Sequence, residues 1–162
     1  MRVAYFEVDI GAGDRAPGLS RAWDGFNEWR VRERPALGRI DIAAIGWMAE
    51  SDDGRPRYRT GVPIRSDYEP PPPAKTTFFP GGSFAYAYAD DMDEIEAAAE
   101  AVREWVVAQG LVARSGLIEV YKFHYNLDQH PCDCGVLVQR ADGSEPLAGR
   151  RGDASPLPIA RG

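Results

Sequence analysis

One order of hydrophobic patterns occurs twice along this chain, and that recurrence limits it to few architectures. Residues 2–10 alternate, with Ala4, Phe6, Val8 and Ile10 on one side and Tyr5, Glu7 and Asp9 on the other, the period of a half-buried strand. Ser20 can cap a helix predicted over 20–34, whose Trp23, Phe26 and Trp29 share a face and which Pro35 and Gly38 close. Strands follow at 40–48 and, after a turn at Asp52-Asp53-Gly54, at 57–64. In the second half, 76–79 and 83–89 read as one strand bent at Pro80-Gly81-Gly82. Asp91 and Glu94 resemble a capping box for a helix carrying Met92, Ile95, Ala99, Val102 and Val106 and ending at Gly110, and 117–123 and 134–139 supply two more strands. The helix end and the two strands that follow it recur in the second half after about 76 residues, although the letters do not match.

The expected fold is therefore α+β: duplicated β-α-β-β units in one antiparallel sheet, with two helices on one face and a ligand groove on the other. Pro70 to Pro73 cannot donate ladder hydrogen bonds and read as a semi-rigid connector between the halves. One domain is expected over 1–139. From Arg140 the chain is rich in Gly, Pro, Ala and Arg without a period, so 140–162 are expected to be a disordered tail.

Composition narrows the function classes. A formal charge of −6 opposes the phosphate attraction that supplies most nucleic-acid affinity, so no direct nucleic-acid binding is expected. No stretch nears the roughly 18 apolar residues of a membrane span, and the start lacks the layout of a signal peptide, so a cytoplasmic location is expected. Cys132 and Cys134, near His130, Asp128 and His124, suggest a metal site only superficially. A structural zinc takes four ligands with a wider first spacing, and the chain has no second cysteine pair. Two reduced thiols in a loop, and no bound metal or cofactor, are expected.

In Leu117-Ile118-Glu119-Val120-Tyr121-Lys122-Phe123, alternation puts Leu117, Glu119, Tyr121 and Phe123 on one face, leaving Glu119 as a lone carboxylate in apolar and aromatic company. A solvent-facing strand glutamate is the plain alternative. A desolvated one binds a cation or donor, or gains a raised pKa suited to proton transfer. Trp47 and Tyr58 would approach the same cleft from the first half, and Tyr86 from the second, unless they are packing residues. The helical Trp23, Phe26, Trp29 and Trp105 read as core.

The run from Tyr58-Arg59-Thr60-Gly61-Val62, through Phe79-Pro80-Gly81-Gly82-Ser83-Phe84-Ala85, to Leu117-Ile118-Glu119-Val120-Tyr121 resembles the gyrase-inhibitor-like effector-binding domain family, which includes the drug-binding halves of AraC-type and multidrug-sensing regulators. With Arg2-Val3-Ala4-Tyr5 and the helix to Trp29, the resemblance covers about residues 2–139. It implies a duplicated β-α-β-β fold whose groove takes aromatic, often cationic molecules, with a glutamate at the position of Glu119. The Cys/His-bearing segment 124–134 departs from the family pattern. With no helix-turn-helix segment, the chain is similar to standalone members, among them a gyrase inhibitor and hydrolases that open cyclopropane rings of DNA-alkylating natural products.

Three functions follow as expectations. In a small-molecule-binding protein for drug protection or sensing, aromatic walls (Trp47, Tyr58, Tyr86, Tyr121, Phe123) stack on a planar ligand while Glu119 pairs with its cation. In a hydrolase, Glu119 activates water while Tyr58 or Tyr121 donates to the developing charge. In a gyrase-interacting inhibitor, the acidic surface makes the contact. The oligomeric state is not specified by the sequence.

Overall fold

The computed structural model describes residues 1–9, 15–37, 42–50, 54–122 and 131–146. It is α+β, with eight strands and two α-helices among the described residues. The chain divides into two compact units, Met1–Pro80 and Gly81–Gly162.

The first unit comprises β1 (Arg2–Asp9), α1 (Arg15–Leu37), β2 (Ile42–Glu50), β3 (Pro56–Pro63) and β4 (Lys75–Phe78). β3 lies between β1 and β2, β4 pairs with the other edge of β1, and all three pairings are antiparallel. Tyr5 and Ile45 both face Gly61, Phe6 faces Thr60, Val8 and Met48 face Tyr58, and Trp47 faces Arg59. Directly opposed residues share a face, so Phe6, Tyr58 and Thr60 lie on one side and Tyr5, Trp47, Arg59 and Gly61 on the other. α1 covers the first side. Its buried Ala22, Phe26 and Trp29 recur at helical spacing, and Phe6 meets the Phe26 and Trp29 rings at 6.2 and 5.7 Å.

α1 begins at Arg15, before the expected Ser20, because Pro17 falls in the first turn, where a helix does not use the missing N–H. It runs through Pro35 into a last, short turn. The pairing of β4 with β1 corrects another expectation: residues 75–78 are not the front half of a bent strand that continues into 83–89. The boundary between units accordingly falls after Pro80, and Pro70 to Pro73 lie inside the first unit.

The second unit comprises β5 (Ser83–Ala89), a 3-10 turn (Met92–Glu94), α2 (Ile95–Ala108), β6 (Leu111–Ala113), β7 (Ile118–Lys122) and β8 (Cys132–Arg140). The Asp91 carboxylate accepts from the Asp93 and Glu94 amides at 2.9 and 3.2 Å, and that of Glu94 accepts from the Asp90 amide at 3.1 Å, the reciprocal capping expected. Gly110 follows α2 at a φ of +64°, a conformation that favours glycine. β5 and β7 each pair antiparallel with β8, as does the short β6, which sequence patterning missed. Tyr86 and Ile118 face Gly135, Ala87 and Glu119 face Cys134, and Ala89 faces Cys132. Ala87, Ala89, Cys132 and Cys134 are fully buried while Tyr86, on the other face, is 44% exposed, so the alanine and cysteine side is the one under α2. The alanines let the helix approach closely, and Ala98, Ala99, Val102 and Val106 fill the contact. Of the expected tail, Glu145 accepts from the Ser83 amide and pairs with Arg114, both at 3.0 Å, while 147–162 lie outside the described residues.

One cross-strand arrangement is common to both units: tyrosine, then glycine, then isoleucine, as Tyr5–Gly61–Ile45 and Tyr86–Gly135–Ile118. A Cβ on Gly61 would lie 2.5 Å from the Ala4 carbonyl oxygen, and one on Gly135 would lie 2.1 Å from that of Ala85. Each glycine is fixed by backbone. We expect Gly61→Ala and Gly135→Ala each to cost about 3 kcal/mol, measured by denaturant unfolding, while Gly81→Ala, with nothing within 4 Å, is near neutral. Thr60 is fully buried and its hydroxyl has no hydrogen-bond partner. Thr60→Val should raise stability by about 1 kcal/mol in the same measurement.

Candidate functional site

Two side chains two residues apart on a strand point the same way, and β7 uses this to join Glu119 and Tyr121. The Tyr121 hydroxyl donates to Glu119 Oε2 at 3.0 Å. Tyr121 is buried and Glu119 half-buried. Register sets Glu119 opposite Cys134, so the carboxylate lies on the face covered by α2. Beside it the Sγ atoms of Cys132 and Cys134 lie 3.2 Å apart, both fully buried and free. The hydrogen bond to Cys134, then burial, push the Cys132 thiol well above its ordinary value; the Glu119 charge adds to this and the Tyr121 hydroxyl opposes it.

The cysteines are thus not in a loop, as expected, but open strand β8. Asp133 between them is buried on the opposite face and ion-paired with Lys122. Phe123, His124, Asp128 and His130 lie outside the described residues. Among the described residues, no group of three or more His, Cys, Asp or Glu could hold a metal ion.

Tyr86 does not join Glu119. It lies on the other face of the second unit, stacked on Phe84 at 5.6 Å between centroids and 14° between planes. The Lys122 ammonium sits 5.5 Å from the centre of its ring. Sequence reasoning missed Lys122 and Asp133 as members of this cluster. Alternation places each out of phase with Tyr121 and Cys132, but that signal becomes useful only once the strand register is known.

Trp47 and Tyr58 are separated in the same way. Tyr58 faces α1, its ring 6.5 Å from that of Trp23. Trp47 lies on the opposite face, 5.8 Å from the Tyr5 ring and 5.4 Å, edge-on, from that of Phe79. Within the first unit Trp47 and Tyr58 therefore lie on opposite faces, and within the second Tyr86 lies on the face opposite Glu119 and Tyr121. The physical reason is register: Trp47 opposes Arg59, so its neighbours on β3 in the alternate phase, Tyr58 and Thr60, point away from it.

Beside Trp47 lies a charged cluster. Glu7 accepts from Arg59 Nε at 2.5 Å and Lys75 Nζ at 3.2 Å, and the Arg59 guanidinium sits 4.8 Å from the centre of the Tyr5 ring. No protein-family model matches the chain, and no curated protein matches it either.

Burial alone would raise the Glu7 carboxyl, but the hydrogen bonds and charges of Arg59 and Lys75 outweigh it and hold the carboxyl below its ordinary range. A carboxyl depressed in the folded state contributes stability above its unfolded pKa of about 4.3 and loses it as pH falls through the folded value. Glu7→Gln should therefore cost about 2 kcal/mol at pH 7. Unfolding of both proteins from pH 7 to pH 2 should show that difference shrinking only at the acid end.

Proposed function

We propose that this chain binds a planar aromatic or cationic small molecule, for drug protection or sensing, and that Glu119 is the group that recognises the ligand's positive charge. The observation that carries this reading is the half-buried Glu119 carboxylate held by the Tyr121 hydroxyl at 3.0 Å. A carboxylate in that position has lost part of its water, and a cationic ligand adds a charge-assisted hydrogen bond to it. The motifs that resemble the gyrase-inhibitor-like effector-binding family support the same reading, and in each unit a strand and a helix are followed by three further strands.

A second reading rests on the same contact. In a hydrolase acting on a conjugated cyclopropane, Glu119 would take a proton from the attacking water and Tyr121 would donate to the oxygen that gains charge as the ring opens. Tyr58, the other expected donor, packs against Trp23 and is not needed for this pairing.

The test is a panel of planar cationic drugs, neutral isosteres and cyclopropane-bearing alkylators, followed by calorimetry and mass spectrometry. Glu119→Gln keeps size and most hydrogen bonding but removes charge, so cationic ligands should lose about 1.5 to 3 kcal/mol of affinity, with neutral isosteres little changed and the melting temperature steady or higher. Intact ligand identifies a binder; ring-opened product whose formation needs Glu119 identifies the enzyme. Unchanged affinity and unchanged turnover in Glu119→Gln would make Glu119 an ordinary solvated strand residue.

A further inference from the structure

Cys132 and Cys134 flank Asp133 at the start of β8, so both thiols leave the strand on the side under α2. Their sulfurs are fully buried and 3.2 Å apart. Alternate residues of a strand are about 6.6 Å apart, the wide end of the roughly 4.4 to 6.8 Å that a disulfide accepts between Cα atoms. A direct sulfur–sulfur bond would pinch the strand; one atom inserted between the sulfurs would not. With bonds of about 2.3 Å to each sulfur, an atom spanning the 3.2 Å gap subtends about 90°. That is narrower than the tetrahedral angle of zinc and far from the linear preference of two-coordinate copper(I), and it is close to the pyramidal angle of trivalent arsenic.

A divalent ion binds thiolates and must release the thiol protons to solvent, whereas a trivalent arsenical brings hydroxide ligands that take them. Glu119, directly opposite Cys134, is half-buried, so solvent reaches this face one side chain from the sulfurs.

We propose that Cys132 and Cys134 form a chelating site for a trivalent arsenical with two exchangeable ligands. Two As–S bonds form and two As–O bonds break, each thiol proton leaves with a hydroxide as water, and arsenic stays trivalent. The chelate has no ligand from Glu119.

The experiment uses the native chain and phenylarsine oxide, with intact-mass measurement, thiol titration and thermal melting. One arsenic per chain is expected, with both thiols lost to the titrant at a temperature where the melting curve shows the chain folded. The adduct should survive excess β-mercaptoethanol and be removed by a dithiol. Cys132→Ser and Cys134→Ser should each hold the arsenical at least tenfold more weakly under excess monothiol, with Cys132→Ala and Cys134→Ala replacing either serine variant that melts below the assay temperature. The proposal is overturned if the thiols react only after denaturation, if a single-cysteine variant keeps the adduct against monothiol, or if equal zinc or copper(I) displaces the arsenical.

Discussion

The pairing of β8 with β5 on one side and β7 on the other decides what the second unit can do. Side chains alternate with a period of two, so the register that sets Gly135 between Tyr86 and Ile118 also sets Glu119 against Cys134. A slip of one residue would carry the thiols to the face of Tyr86 and leave Asp133 under α2. Gly135 resists that slip, since any other residue there would drive its Cβ into the Ala85 carbonyl oxygen. The acid, the phenol and the two sulfurs share one face because a glycine on the other face fixes the strand.

The two units have the same order of elements and distribute their chemistry in opposite ways. Under α1 the first unit packs aromatic rings, Phe6, Trp23, Phe26, Trp29 and Tyr58, and keeps its charged cluster of Glu7, Arg59 and Lys75 on the far face. Under α2 the second unit has alanines and thiols, with the Glu119–Tyr121 pair on the same side of the adjoining strand and the stacked rings and the Lys122–Asp133 ion pair on the far face. Large rings hold a helix away from a sheet and fill the gap with apolar area; alanines bring it close and leave the adjoining strand edge for polar work.

Much of this was legible in the letters. The alternation of 83–89 and the capping pair Asp91 and Glu94 located β5 and the start of the second helical segment within a residue or two, and the shared face of Glu119 and Tyr121 followed from their spacing. Faces across strands were not legible. Alternation states which residues of one strand agree, but only register states whether Tyr86 agrees with Glu119 or Trp47 with Tyr58, and in both cases it separates them. Asp133 concealed the first residues of β8, because a charged letter between cysteines reads as solvated until its partner Lys122 is known. β6 is three residues long, too short for a period to emerge.

The glycines of the two tyrosine–glycine–isoleucine rows have a consequence for heredity. Most lesions in a packed interior can be relieved by a second change that trims a neighbouring side chain. At Gly135 and Gly61 the nearest obstacle is a main-chain carbonyl oxygen, of Ala85 and of Ala4, which every residue at those positions would carry. Shortening Tyr86 or Tyr5 would leave that oxygen where it is. A search for intragenic suppressors of an alanine at either site should therefore return true reversion to glycine, and the two positions should stay fixed among descendants while the aromatic letters beside them drift.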